Sequence, residues 1–195
     1  MPLPAAYAWS MPDGSLGRIL DAAYAGMLEQ GLRRLTMDDV ARRAGLARIT
    51  VYRRFARKSD LIQAVVMREL RRFLSAFEQA MAALPTAEEQ VVEGFAVTLR
   101  LVRAHPLLGR LLADAPETML PQLTLEAGPY LAVARQYLAE RLEVPDSAVV
   151  AETYIRIALS FVLTPDSVIP LGNDADARAY ARRHLVPLLP SEGIN

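Results

Sequence analysis

The stretch from Thr36 to Phe55, TMDDVARRAGLARITVYRRF, leaves this chain little local freedom. Thr36 stands just before a helical pattern with Asp39 three residues later, so the two can cap a short helix reciprocally. Val40, Ala41 and Ala44 give that helix one apolar face. Gly45 then lets the backbone reverse where a Cβ would be strained, and Leu46 plugs the corner. A second short helix, from about Ala47 to Phe55, sets Val51 and Phe55 four residues apart on one inward side. At about 100° per residue, Ile49 and Arg53 then point away from the core.

Two short helices around a glycine corner have the spacing of a helix-turn-helix. The start of the second helix, with Arg48 and Thr50, is the end that meets base edges when such a helix enters the major groove. One alternative is an ordinary solvated helix face. Against it stand the capped first helix, Gly45 four residues after Ala41, the outward Arg53, and Tyr52 and Lys58 beside it. Another is a protein-docking surface, which apolar anchors would dominate; here nine basic residues face two acidic ones between Arg33 and Lys58.

From about Leu16 to Leu70 the chain resembles the DNA-binding domain of the tetracycline-repressor (TetR) family of bacterial regulators. The matching residues are Thr36, Val40, Ala41, Ala44, Gly45, Thr50, Tyr52, Phe55, Lys58 and Leu61, and TVYRRF followed by K-S-D-L is the most specific part. The resemblance implies that Arg48, Ile49 and Arg53 lie against bases, and that Thr36, Thr50, Tyr52, Arg54 and Lys58 belong to the same DNA-binding surface, the last four on phosphates. Ala47 departs from the family's usual Ser or Thr, which removes a side-chain cap. Arg54 replaces a usual His and keeps a permanently charged phosphate donor.

The charge distribution agrees. The chain has 22 basic and 22 acidic residues, but residues 1–72 hold 13 basic and 7 acidic, and residues 73–195 hold 9 and 15. Phosphate neutralisation needs only one basic surface, so the acidic half is expected to face away from DNA. With 195 residues and 52% hydrophobic content the chain can bury a substantial core. The absence of cysteine removes disulfides and thiol chemistry and suits a reducing cytoplasm. Neither an apolar run long enough to span a bilayer nor an export signal is evident, so a cytoplasmic protein without a membrane partner is expected. Residues 1–14, with Pro2, Pro4, Pro12 and Gly14, read as a flexible tail that Trp9 could pin to the surface. Lacking Arg and Lys, this tail is a poor minor-groove arm.

Helical periodicity continues throughout, and the fold class expected is all-α. An N-terminal three-helix helix-turn-helix domain (residues 15–60) is joined by a long helix (61–84) to a C-terminal helical ligand-binding and dimerisation domain, the whole regulatory part being 61–195. Ser15 is expected to cap the first helix and Gly31 to stop it. Further helices are expected at 87–104, 106–114, 117–142, 146–163 and 174–188, with Gly128 and Pro129 kinking or splitting the third of these.

In the second half, Phe95, Leu99, Val102, His105, Met119, Tyr130, Tyr137 and Phe161 could line an apolar cavity for an unidentified small molecule, although each also fits ordinary core packing. The resemblance implies that such a ligand releases the protein from a palindromic operator, which makes it a repressor, with activation left open. Two half-sites require a two-fold dimer. Tyr154, Ile155, Ala158, Phe161 and Val162, with Leu185 and Leu189 opposite, are the expected interface of a four-helix bundle. An enzyme is not expected and no cofactor or metal is assigned. The only histidines are His105 and His184, and the zinc, P-loop and serine-hydrolase motifs are missing. The competing reading is a helical small-molecule or protein-binding module without specific DNA binding.

Overall fold

The computed structural model describes residues 14–190, save Ala83 and the side chain of Gln122. The expected tail therefore lies outside the described residues except for Gly14, which already belongs to the first helix together with Ser15, the expected cap. Among the described residues the chain is all-helical: α1 (Gly14–Gln30), α2 (Met37–Ala44), α3 (Arg48–Arg54), α4 (Lys58–Met81), α5 (Ala87–Ala104), α6 (Pro106–Asp114), α7 (Pro116–Leu123), α8 (Gly128–Ala139), α9 (Ser147–Leu163) and α10 (Asp174–Tyr180). Gly31 ends α1 with a φ of 78°. The split between α7 and α8 falls at Gly128 and Pro129, as expected, with Pro129 in the first turn of α8 where its missing N–H leaves nothing unpaired.

The chain packs as two compact units. The first comprises the described residues up to Arg71 together with Pro106–Glu126. Its core joins Ile19, Ala23 and Met27 of α1 to Val40 and Ala41 of α2, Val51 of α3, and Leu61 and Val65 of α4. Leu107 and Leu111 of α6, with Ala115 and Met119, are buried in that same core. Packing thus groups residues 106–126 with the helix-turn-helix unit, where the sequence reading places a division at residue 60. Leu107, Leu111 and Ala115 recur every fourth residue, and the stripe they form is covered by the helix-turn-helix unit rather than by the rest of the second half.

The second unit comprises Arg72–His105 and the described residues from Ala127. Val92, Phe95, Ala96 and Leu99 of α5 pack with Val150, Ala151, Tyr154 and Ala158 of α9 and with Ala177, Ala181 and Leu185. Phe95, Phe161 and Tyr180 pack mutually, with centroids 5.5 to 6.0 Å apart and Phe161 edge-on to the other two rings. A second aromatic group sets Tyr137 edge-on to Phe77 at 6.3 Å, beneath the Arg141 guanidinium, 3.6 Å above its ring. Arg141 also holds Glu78 at 2.8 Å, which ties the later part of α4 to the end of α8.

The expected single helix over 174–188 is instead three kinds of helix. After α10 the backbone widens into a π-turn over Ala181–Leu185, where the Val186 N–H reaches back to Ala181, and then tightens into a 3-10 turn over Val186–Leu188. Pro187 accounts for this, because its ring collides with the carbonyl four residues earlier and it has no N–H to continue an α-helix.

Candidate nucleic-acid interface

Thr36 and Asp39 form the expected capping box. The Thr36 hydroxyl oxygen accepts the Asp39 N–H at 3.1 Å, and the Asp39 carboxylate accepts the Thr36 N–H at 3.2 Å. The Thr36 hydroxyl donates to Asp39 at 2.6 Å as well, and this bond is the main reason the carboxyl is held below the usual range. At the corner the Leu46 N–H reaches the Ala41 carbonyl at 3.0 Å and the Gly45 N–H reaches Arg42 at 3.2 Å. This double closure requires the left-handed backbone of Gly45, with φ of 64°.

Helix α3 is anchored through the fully buried Val51. Rotation from that anchor leaves Ile49 74% and Tyr52 43% exposed. Arg48, Arg53 and Arg54 are exposed too, and Thr50 is half-buried. Ile49 is the informative residue, because an isoleucine so open to water on a short helix gives the fold nothing by its exposure. Ala47 precedes α3 without a side-chain cap, as the sequence implied.

Lys58, expected on a phosphate, is partly turned inward. Its ammonium donates to the Leu32 carbonyl at 2.5 Å, and burial lowers its pKa. Several other basic residues of the unit are also engaged: Arg43 clasps Glu29 at 2.6 and 2.9 Å, Arg33 holds Glu117 at 2.9 Å, and Arg57 holds Asp60 at 3.0 Å. Sequence reasoning missed the ion pair between Arg48 and Asp38, which crosses the corner from α3 to α2. The two are ten residues apart, outside any helical repeat, so no spacing rule announces them.

The cavity residues do not form one group. Met119 is buried in the first unit's core. Phe95, Leu99, Val102, His105, Tyr130, Tyr137 and Phe161 belong to the second unit, where Phe95 and Leu99 sit in the core and Tyr137 is in the separate group around Phe77. His105 caps α5 through its backbone N–H. An open groove of about 380 Å³ in this unit is lined by Phe161 with Arg103, Ser167, Ile169, Leu171 and Gly172, and so includes one of the eight.

The expected interface residues divide by burial within the chain. Tyr154, Ala158 and Leu185 are buried within the chain's own core, because α9 turns that side toward α5 and α10. Ile155, Phe161, Val162 and Leu189 remain partly exposed. The expected pair of Glu152 and Arg156 is present at 2.6 Å, with Arg135 of α8 joining at 2.8 Å.

An apolar-anchored short helix, held by a capped partner and a glycine corner and presenting Arg48, Ile49, Tyr52 and Arg53, defines a helix-turn-helix DNA-binding protein. Comparison with known proteins makes the class specific. Residues 19–65 match the family of bacterial regulatory proteins of the tetR type, and residues 86–182 match the C-terminal domain described for the bacterial tetracycline repressor. The chain belongs to the TetR family, whose members are non-enzymatic, DNA-binding transcriptional regulators. It is 26% identical over 185 residues to the HTH-type transcriptional regulator AlkX of Mycobacterium tuberculosis, covering 90% of this chain and 85% of the relative. It is 27% identical over 172 residues to an uncharacterized HTH-type regulator of the same organism, covering 88% and 84%. Among solved structures, the TetR family repressor AlkX from a Dietzia species, implicated in biodegradation of n-alkanes, superposes with a TM-score of 0.70 at 24% identity, covering 92% and 98%. The all-helical architecture with an N-terminal helix-turn-helix agrees with the sequence expectation.

Proposed function

We propose that the protein is a homodimeric repressor that binds a palindromic operator and is released by a small apolar ligand. The observation that carries the DNA-reading part is the outward row of Arg48, Ile49 and Arg53 on a helix whose opposite side is locked by Val51. In this reading the arginines take guanine edges and Ile49 a thymine methyl, while Thr36, Thr50, Tyr52, Arg54 and Lys58 serve the backbone. Members of the family bind operator DNA, act as dimers and bind small ligands.

For the dimer, burial redirects the proposal to the side of α9 that its own subunit leaves open. Ala148, Ile155, Leu159 and Val162 fall at helical spacing on one face, and all are exposed or half-buried. Later in the same unit, Ala175, Ala179, Val186 and Leu189 are also exposed or half-buried, and the two alanines leave room for a facing helix to approach closely. For the ligand, the groove in the second unit sets Phe161, Ile169 and Leu171 beside Arg103 and Ser167, which suits a molecule with an apolar body, and the structurally similar AlkX repressor from Dietzia is implicated in biodegradation of n-alkanes. The cytoplasm, where the chromosome is, is the proposed location.

The test is selection of random duplex DNA by the purified protein at moderate salt. Enrichment of a palindrome with two half-sites supports the reading. Retention without enrichment, and only at low salt, would instead favour a binding module that does not read sequence.

A further inference from the structure

Asp38 and Asp39 are neighbours with different work. Asp39 closes the capping box with Thr36 and also meets Arg42 at 2.5 Å, so both its oxygens serve α2. Asp38 contributes nothing to that cap. One of its oxygens pairs with Arg48 at the start of α3, and the other, Oδ1, is buried with no hydrogen-bond partner. Its charge in the first turn also favours the N-terminus of α2, but the hydrogen-bonded cap is complete without it.

A negative charge beside a surface meant for a polyanion opposes binding, so its presence calls for a compensating role. The partner supplies one. A free arginine has many rotamers, and its planar fork reads a base edge only in one orientation. Arg48 has no help from its own helix start, because Ala47 offers no side-chain cap. The Asp38 carboxylate reaches across the corner and fixes one end of the Arg48 guanidinium, leaving its remaining N–H groups for another acceptor.

We propose that Asp38 is a positioning residue for base reading: it aims Arg48 at one base pair in each half-site, and its charge suppresses attachment to other sequences. This rests on the operator-binding reading above. The charge penalty applies to every sequence, whereas the aimed fork rewards only the right one, so the pair trades affinity for discrimination.

The experiment takes the full-length protein as wild type, Asp38→Asn, Arg48→Ala and the double variant. Each is selected against random duplexes, and each is titrated on the wild-type operator and on a scrambled duplex across salt. Asp38→Asn is expected to blur the same half-site position that Arg48→Ala blurs while leaving the others sharp. It should tighten binding to scrambled DNA and lower the ratio of operator to scrambled affinity by about tenfold. In the Arg48→Ala background it should leave that ratio where Arg48→Ala alone put it. A purely structural role for Asp38 would weaken all positions evenly. That result, an unchanged preference at every position, or an equal drop in the Arg48→Ala background would overturn the proposal while leaving operator binding intact. Failure of the wild type to enrich any sequence would overturn the operator-binding reading and this proposal with it.

Discussion

The Tyr154 hydroxyl donates to the backbone carbonyl of Leu185 at 3.0 Å, joining the middle of α9 to the end of the π-turn. Past Leu185 the chain tightens, and the Leu189 N–H goes to Val186 instead of Leu185. The phenol therefore donates to the carbonyl at which the helix changes type. Tyr154→Phe should keep the packing and leave that buried carbonyl without this donor, at a cost of about 1 kcal/mol. Urea unfolding should show a lower midpoint with an unchanged slope; an unchanged midpoint would mean that water replaces the phenol.

Burial pushes the phenols of both Tyr154 and Tyr137 up to about 12, from an ordinary value near 10. Below pH 10 both states keep their protons and these groups add no pH dependence. From pH 10 upward the unfolded chain ionises while the folded chain resists, so stability falls as pH rises toward 12. Ultraviolet titration should show late-ionising tyrosines, and Tyr137→Phe and Tyr154→Phe should each remove part of that phase. Ionisation of every tyrosine in one step near pH 10, with the fold still intact by circular dichroism, would contradict this.

Much of this was legible in the sequence, and for identifiable reasons. Helices α5 and α6 fall at the expected 87–104 and 106–114 because Thr86, His105 and Pro106 mark their ends. The capping box and the glycine corner are local chemistry, complete within ten residues. What periodicity does not carry is the identity of the partner. It put Tyr154 and Ala158 on an apolar stripe, yet only the fold shows that α5 and α10 cover that stripe within the same chain. The burial of Met119 with α1 and the pairing of Arg48 with Asp38 are likewise decided by three-dimensional neighbours.

Gly45 has open space around its α-carbon, so its conformation, with φ of 64°, is the whole reason it is glycine. Gly45→Ala should destabilise the first unit by about 1 to 2 kcal/mol through left-handed strain alone. Gly45→Asn should cost less, since asparagine tolerates that region. Thermal melts of the two variants give the ranking, and equal losses would point to a packing role that the empty surroundings do not support.

Arg53 and Lys58 should separate cleanly. Arg53→Ala alters an exposed side chain and should leave stability unchanged, while weakening operator binding by about 1 to 3 kcal/mol and sparing scrambled DNA. Lys58→Ala removes an ammonium bonded to the Leu32 carbonyl, so it should also destabilise the protein by about 1.5 kcal/mol. Its binding loss should be similar on every sequence, with a shallower salt dependence. Melting and salt titrations on both duplexes decide this; a sequence-selective loss for Lys58→Ala would reassign it to base reading.

Met119 and Leu111 lie far along the chain from the helix-turn-helix, yet both are at most 1% exposed in the core that contains Ile19, Met27 and Val51. Truncating either should therefore loosen the DNA-binding unit. Met119→Ala and Leu111→Ala should each cost about 2 to 5 kcal/mol, the transfer term plus the cavity left behind. Hydrogen exchange locates the damage: amides of α1, which packs on α6, should lose protection before those of α9, whose core lies in the other unit. If α9 were affected first, residues 106–126 would belong energetically with the second unit, and the division at residue 60 expected from sequence would stand.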